Sequence, residues 1–332
     1  MLGRGVNDVL RTEPDPRRPW GDVLPLLLEA DLRLANLECA ITEARKEWDR
    51  TFKPFHFRAD PPAVKFLTAA HLDGVALANN HILDYEARGL IDTLDNLDRA
   101  RIGWAGAGRD SDEARRPAIF DAGGLRVALV SITDNEPEFA AGPGRPGAHF
   151  LPVSLERDVL AELEEDLERA HDRADLVVLS NHWGPNFVER PSQLFRDFAH
   201  AAVDRGADVY FGHSAHLVQG VELYRGRPVL YDTGDFLDDY AVDPELRNDA
   251  SCLFRLHFQG CELAGLELVP VTLSYAAVGL ATGDLQEWIL RRLQRLSAEL
   301  ETKLERRDGR LWLPGSLEAP VHGSLPSEPA PG

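Results

Sequence analysis

Short apolar runs alternate with amphipathic stretches over the first two thirds of the chain. Runs at 31–37, 74–78, 102–105, 125–132, 176–179 and 208–211 are too short for buried helices and predict strands. Between them, 22–29, 61–71, 85–100, 155–172 and 192–204 carry apolar residues at helical spacing, as Leu90, Leu94 and Leu97 do on one face. Pro61 and Pro62 suit a first helical turn, and Ser154 is a candidate N-cap for 155–172. Further along, the runs 218–224 and 228–231, then 251–258 and 262–271, flank short turns and predict hairpins. Residues 283–306 read as one long charged helix, 2–6 and 136–152 as loops, and 314–332 as a disordered tail rich in Pro, Ser and Gly. Strands alternating with helices, then hairpins, predict an α/β fold with mixed sheets, a main domain over 1–272 and a helical extension over 273–313.

At 332 residues and 44% hydrophobic, the chain can bury a large core. A formal charge of −19 repels nucleic acid and anionic membranes at long range, which sets both aside as default partners. Charge runs such as 162–168 read as solvated helix faces. The three cysteines, Cys39, Cys252 and Cys261, form no CxxC pair and fit a reducing compartment with inert thiols. With no stretch of transmembrane length and no apolar signal region, the chain as written reads as cytoplasmic.

The predicted strands end in polar residues of metal-ligand type. Glu38 follows 31–37, Asn80 and His81 follow 74–78, His182 follows 176–179, and His213 and His216 follow 208–211. Strand ends on one side of an open α/β sheet converge on one crevice. Singly, each has an ordinary explanation: Asn79-Asn80 as a turn, His182 as a core histidine, Glu38 as a surface acid. Their shared position at strand ends favours a site. Carboxylate, amide and imidazole without cysteine suit a divalent ion such as Mn, Fe or Zn in a hydrolytic rather than a structural centre.

Asn36-Leu37-Glu38, Asn79-Asn80-His81 with Asp84, His182-Trp183-Gly184, and Gly212-His213-Ser214-Ala215-His216 with Gln219-Gly220-Val221-Glu222 resemble the successive motifs of the CapA family. Gly106-Ala107-Gly108 and the run from Tyr231 to Phe236 also fit, with Asp235 where that family more often has Asn. The resemblance covers about residues 1–240. Members are poly-γ-glutamate capsule proteins on a calcineurin-like metallophosphoesterase fold. That implies a metallophosphatase-like α/β sandwich of two mixed sheets flanked by helices, and two divalent ions in the full-length protein. Glu38 would be shared between the ions; Asn80, His182 and His213 would complete one site, and His216 would serve the other. His81 would be the general acid, Asp84 would orient it, Arg4 would contact an anionic group, and Trp183 could line the pocket.

The family pattern usually opens with a strand and Gly-Asp-x-Met-Leu-Gly-Arg, whose Asp is a ligand, whereas this sequence opens on Met1-Leu2-Gly3-Arg4. The expectation is a first strand upstream bearing that Asp; without it the second metal position is weak, and with it a membrane anchor or export signal could come too. The resemblance implies a metal-dependent hydrolase in the metabolism of poly-γ-glutamate or a related envelope polymer, with an anionic polymer or phosphoester as substrate. The alternatives are a non-catalytic accessory or polymer-binding subunit, and a phosphodiesterase or phosphatase unrelated to capsule. Lys53, His56 and Arg58 are candidates for the local basic patch a polyanion would need.

Overall fold

The computed structural model describes residues 1–315. Three parallel strands, β1 (Leu34–Asn36), β2 (Gly74–Ala76) and β3 (Gly103–Ala105), form one sheet in that order. A six-stranded sheet contains β4 (Ala118–Ala122), β5 (Leu125–Thr133), β6 (Leu176–His182), β7 (Val209–His213), β8 (Val221–Tyr224) and β9 (Arg227–Leu230), in the order β8-β9-β7-β6-β5-β4. Its four inner strands are parallel and its two edge strands antiparallel. The inner strands are covered on both sides, so they appear in the sequence as unbroken apolar runs rather than alternating ones. A third sheet, antiparallel, is centred on β11 (Glu262–Ser274), which pairs with β10 (Ala250–Gln259), β12 (Ala277–Leu280) and β14 (Arg310–Pro314); β13 (Glu305–Arg307) adds to β14.

The longer helices are α1 (Arg4–Thr12), α2 (Glu86–Ala100), α3 (Arg157–His171), α4 (Gln193–Asp204) and α5 (Gly283–Ala298). α3 and α4 bury Leu163, Leu167, Phe198 and Ala199 in one core with Val130, Val177 and Tyr210 of the six-stranded sheet. α1 and α2 share another core with Leu37, Val75 and Phe57, and α5 packs Ile289, Leu290 and Leu293 among β8 to β11 and β14. The fold is therefore a layered α/β arrangement with sheets flanked by helices. Among the described residues it has three larger sheets instead of the two expected. Among the described residues, β1 and β10 each leave one edge unpaired, and a cavity of about 540 Å3 lies between them. Leu34, Val127, Val178, Phe211 and Phe254 wall it, and Met1 is part of its lining.

Several elements differ from the sequence expectation. Residues 2–6, read as a loop, enter α1, because Leu2, Val6 and Leu10 recur at a spacing of four and are all buried. Ser154 does not cap α3: its hydroxyl accepts from the Glu156 amide at 3.1 Å, one turn ahead of the helix. The long helix expected over 283–306 stops at Ala298; Glu301 is left-handed (φ 58°) and Thr302 donates back to the Ser297 carbonyl. The stretch 273–313 thus holds one helix and strands as well, closed by Asp308-Gly309, both at positive φ as a tight hairpin turn requires. Within 136–152, Gly147–Ala148 pairs with Ala107–Gly108, so the loop is pinned to the end of β3. Of the tail expected to be disordered, Pro314 ends β14, and 316–332 lie outside the described residues.

Candidate metal centre

The sheets deliver the polar residues through register. β6 and β7 run parallel with His182 beside His213, so both side chains leave the same face of the sheet. On the other sheet, β1 and β2 pair Asn36 with Ala76, and each chain then passes into its polar turn. Asn79 ties the two turns together by donating to Asn36 Oδ1 (3.1 Å) and the Leu37 carbonyl (3.0 Å). Asn36 in turn donates to Glu38 Oε2 at 3.3 Å. Behind β3, Gly106 sits at φ +94° with no room for a side chain: a Cβ would meet Ser131 and Ala78 at under 3 Å.

Glu38 lies between the two sheets. Its Oε1 is 3.7 Å from His81 Nε2 and 3.9 Å from His182 Nε2. His182 and His213 approach Nδ1 to Nδ1 at 2.9 Å, and His213 Nε2 is 2.8 Å from Ser180 Oγ. Two of the candidate ligands, Asn80 through Oδ1 and His182 through Nε2, have a buried atom with no hydrogen-bond partner, and so does Asp84 at Oδ1. Burial, helped by the neighbouring imidazoles, pushes the His182 pKa well down; burial and His216 take His213 to about 3. Both rings are therefore neutral at physiological pH and have lone pairs to offer.

His81 stacks flat on Phe57 at 3.7 Å and meets Asp84 Oδ2 through Nδ1 at 2.6 Å. Burial pushes the His81 pKa well below normal and that of Asp84 up to about 7, where Lys53 opposes it. Lys53 is itself buried, 3.4 Å from Asp84 and 3.9 Å from Glu136. His216 Nδ1 contacts both oxygens of Asp235 at 3.0 and 3.1 Å. Burial works against its charge, yet the Asp235 carboxylate holds its pKa up at about 10. His216 (φ 58°) and Ser214 (φ 130°) both have positive φ, outside the usual backbone regions, which costs about 1–3 kcal/mol per residue. The turn is held by the Ala215 amide donating to Asp232 Oδ2 at 2.7 Å.

A profile of the family described as bacterial capsule synthesis protein PGA_cap matches residues 1–240. The chain belongs to that family. Among proteins similar to it, a probable polyglutamine synthesis accessory protein of Mycobacterium tuberculosis is 33% identical over 93% of this chain and 84% of its own length. The capsule biosynthesis protein CapA of Bacillus anthracis is 29% identical over 86% of this chain and 69% of its own length. The PGA biosynthesis protein CapA of Bacillus subtilis is 28% identical over 94% of this chain and 79% of its own length.

In this PGA_cap member, the eight residues singled out from the sequence fall at three levels of proximity. Glu38, His81, His182 and His213 form one chain of contacts, with Asp84 behind His81. Asn80 is beside His81 with a buried, unpartnered oxygen, and His216 follows His213 with its own carboxylate partner. Arg4 stands farther out, 3.5 Å from Asp239, with its guanidinium over Phe55, Phe57 and Tyr240. Trp183 does not line the site: it is buried against Phe195 and Tyr210 and donates to the Tyr231 carbonyl. Of the expected basic patch, Lys53 points inward to Asp84, Arg58 pairs with Asp60 at 2.7 Å, and His56 contacts the Trp48 carbonyl. Sequence reasoning gave no positioning role to Asn36, Asn79 or Ser180, which hold the others in place. No helix of the described residues is long and apolar enough to cross a membrane.

The donor set fits a divalent ion on its own chemistry. It joins neutral imidazole, carboxylate and amide oxygen, with His182 Nε2 and Asn80 Oδ1 buried and unpaired, a state that costs free energy unless something binds there. The Asp235 carboxylate fixes the orientation of the His216 ring through Nδ1.

Proposed function

We propose that this PGA_cap member is a metal-dependent hydrolase acting in poly-γ-glutamate or related envelope-polymer metabolism, on a metallophosphoesterase-like fold. The observation that carries it is the buried, unpartnered His182 Nε2 facing Glu38 Oε1 at 3.9 Å, with Asn80 Oδ1 also unpartnered. Glu38, Asn80, His182 and His213 would hold one Mn, Fe or Zn ion, and His216 would serve a second. A bound divalent ion supplies Lewis acidity and an acidified water. The residues supply the rest. Asp84 fixes His81 through Nδ1 and leaves Nε2 toward Glu38, the position from which a proton can be passed to a leaving group. Phe57 fixes the plane of that ring by stacking. Arg4, partly exposed beside the site, is the cation for an anionic substrate group.

The cavity between β1 and β10 supports one further element on this reading. Among the described residues both flanking edges have unpaired backbone groups and the walls are largely apolar, so an additional strand would pair on either side. Such a strand, ending in Gly-Asp, would bring a carboxylate to the His216 side of the centre.

The test is an assay of metal-loaded protein on p-nitrophenyl phosphate, bis-p-nitrophenyl phosphate and poly-γ-glutamate. Shortening of poly-γ-glutamate supports the proposal. Cleavage of the phosphoesters alone assigns a phosphodiesterase or phosphatase. The similar mycobacterial protein is called an accessory protein, which favours a non-catalytic subunit as second reading. Polymer binding without any cleavage would establish that role instead.

A further inference from the structure

A second cluster of ligand-type side chains lies away from the strand ends, where the loop after β5 crosses α3. Among the described residues, His149, Glu162 and Asp166 are the three His, Cys, Asp or Glu side chains whose ligand atoms all come within 4.8 Å of one another. We propose that they form a separate divalent-cation site, of the zinc type, that staples this loop to α3.

Two features of the cluster suit an ion. His149 is 4% exposed and Asp166 1%, yet both ring nitrogens of His149 and Oδ2 of Asp166 have no hydrogen-bond partner. His149 Nε2 and Asp166 Oδ2 are 3.1 Å apart, close enough that the ring helps to hold the Asp166 carboxylate below its ordinary pKa. Two ligands on a tetrahedral zinc, with bonds of about 2.0–2.1 Å, stand about 3.3 Å from each other. The pair is therefore already near the spacing an ion would impose.

The helix explains the third ligand. Glu162 and Asp166 are four residues apart in α3, so their carboxylates share one face. Glu162 is the more exposed, at 41% for its side chain, and leaves the site open to solvent for a water as fourth ligand. Arg115 already touches the cluster, and its contacts show which atoms remain. It binds Asp166 at Oδ1 (2.9 Å) and reaches Glu162 Oε1 at 3.4 Å and Glu165 at 3.5 Å; Arg169 is 3.7 Å from the same Asp166 Oδ1. Asp166 thus gives one oxygen to arginine and keeps the other toward His149. With no cysteine, one imidazole and two carboxylates, Zn2+ or Co2+ fits better than a thiolate-seeking ion.

The position has a structural consequence. The His149 amide donates to the Gly106 carbonyl at 2.8 Å and its carbonyl accepts from Thr133 at 3.1 Å, so its backbone bridges the ends of β3 and β5. An ion on the side chain would lock that bridge to α3.

The experiment isolates this cluster from the strand-end centre by working in a His182→Ala/His213→Ala background of the full chain. Zn2+ and Co2+ are titrated calorimetrically, and melting is followed by circular dichroism. One equivalent of Zn2+ should still bind and raise the Tm. Adding His149→Ala should abolish that equivalent and the Zn2+-induced rise. Glu162→Gln, at a partly exposed position that should not disturb folding, should weaken Zn2+ at least tenfold. If the background protein binds no Zn2+, or binds it equally with Glu162→Gln and His149→Ala, the second site does not exist. Either result is read apart from the position formed by Glu38, Asn80, His182 and His213, which lacks two of its four side chains in the test protein, and only the loss on His149→Ala assigns the equivalent to this cluster.

Discussion

His182 and His213 meet Nδ1 to Nδ1 at 2.9 Å because the parallel register of β6 and β7 sets them side by side. Neither side chain could take this place alone. Removing either ring leaves the other buried with an unpaired nitrogen, and removing His213 also frees Ser180. His182→Ala and His213→Ala should each lower divalent-metal affinity about 100-fold or more, and cost the metal-free protein roughly 1–3 kcal/mol for the polar group left behind. Calorimetric titration and urea unfolding check the two effects separately.

His81 makes the opposite prediction, since it is placed to handle a proton rather than an ion. His81→Ala should keep metal binding and lose turnover. Asp84→Asn should keep metal as well, and lower turnover about 10–100-fold by releasing the imidazole. It should also destabilise the fold, because the buried Lys53 loses its nearer carboxylate charge. Equal metal loss in His81→Ala and His213→Ala would remove His81 from the proton-transfer role.

The site's lining can be followed through Cys39, which adjoins Glu38. Burial lifts its pKa to about 11, so at pH 8 it is a thiol, the unreactive form, and only above about pH 11 would the thiolate prevail. Cys252 is buried too and Cys261 exposed. A thiol reagent at pH 8 should modify one cysteine quickly, Cys261, and the remaining two only on unfolding. Raising the pH to 9.5 should not change that count. Rapid modification of Cys39 in the native protein would mean that the turn carrying Glu38 opens readily.

Much of this was legible in the sequence because inner parallel strands are uniformly apolar and stop abruptly at polar residues. Leu176–His182 and Val209–His213 show that pattern, and it marked both imidazoles. What the pattern could not show is pairing. Nothing in the spacing said that Asn79 would reach across to Asn36, that Lys53 would turn inward to Asp84, or that Asp235 would hold His216. Lys53 read as a candidate for a basic patch because its buried partner, Asp84, is far away in the sequence. The hairpin at Asp308-Gly309 was hidden by a charged run that suits a helix as well as an edge strand. Trp183 was misplaced because its neighbour His182 points into the site, and consecutive residues at a strand end face opposite sides.

The cavity beside β1 gives a further expectation. An apolar segment ending in Gly-Asp, fused ahead of Met1, should fill the space between the open edges of β1 and β10. The extended protein should melt at a higher temperature and bind more metal per chain than the present one. An extension with its apolar residues replaced by Ser should do neither. Equal behaviour of the two extensions would mean that no strand docks there.

The most direct measurement follows poly-γ-glutamate chain length by gel filtration over time, with metal-loaded protein, metal-stripped protein and metal-treated His182→Ala in parallel. Shortening by the metal-loaded protein alone, at least 100-fold faster than by His182→Ala, is the expected result. Equal shortening in all three, or none with metal bound at the centre, would contradict a hydrolytic metal site at Glu38, Asn80, His182 and His213.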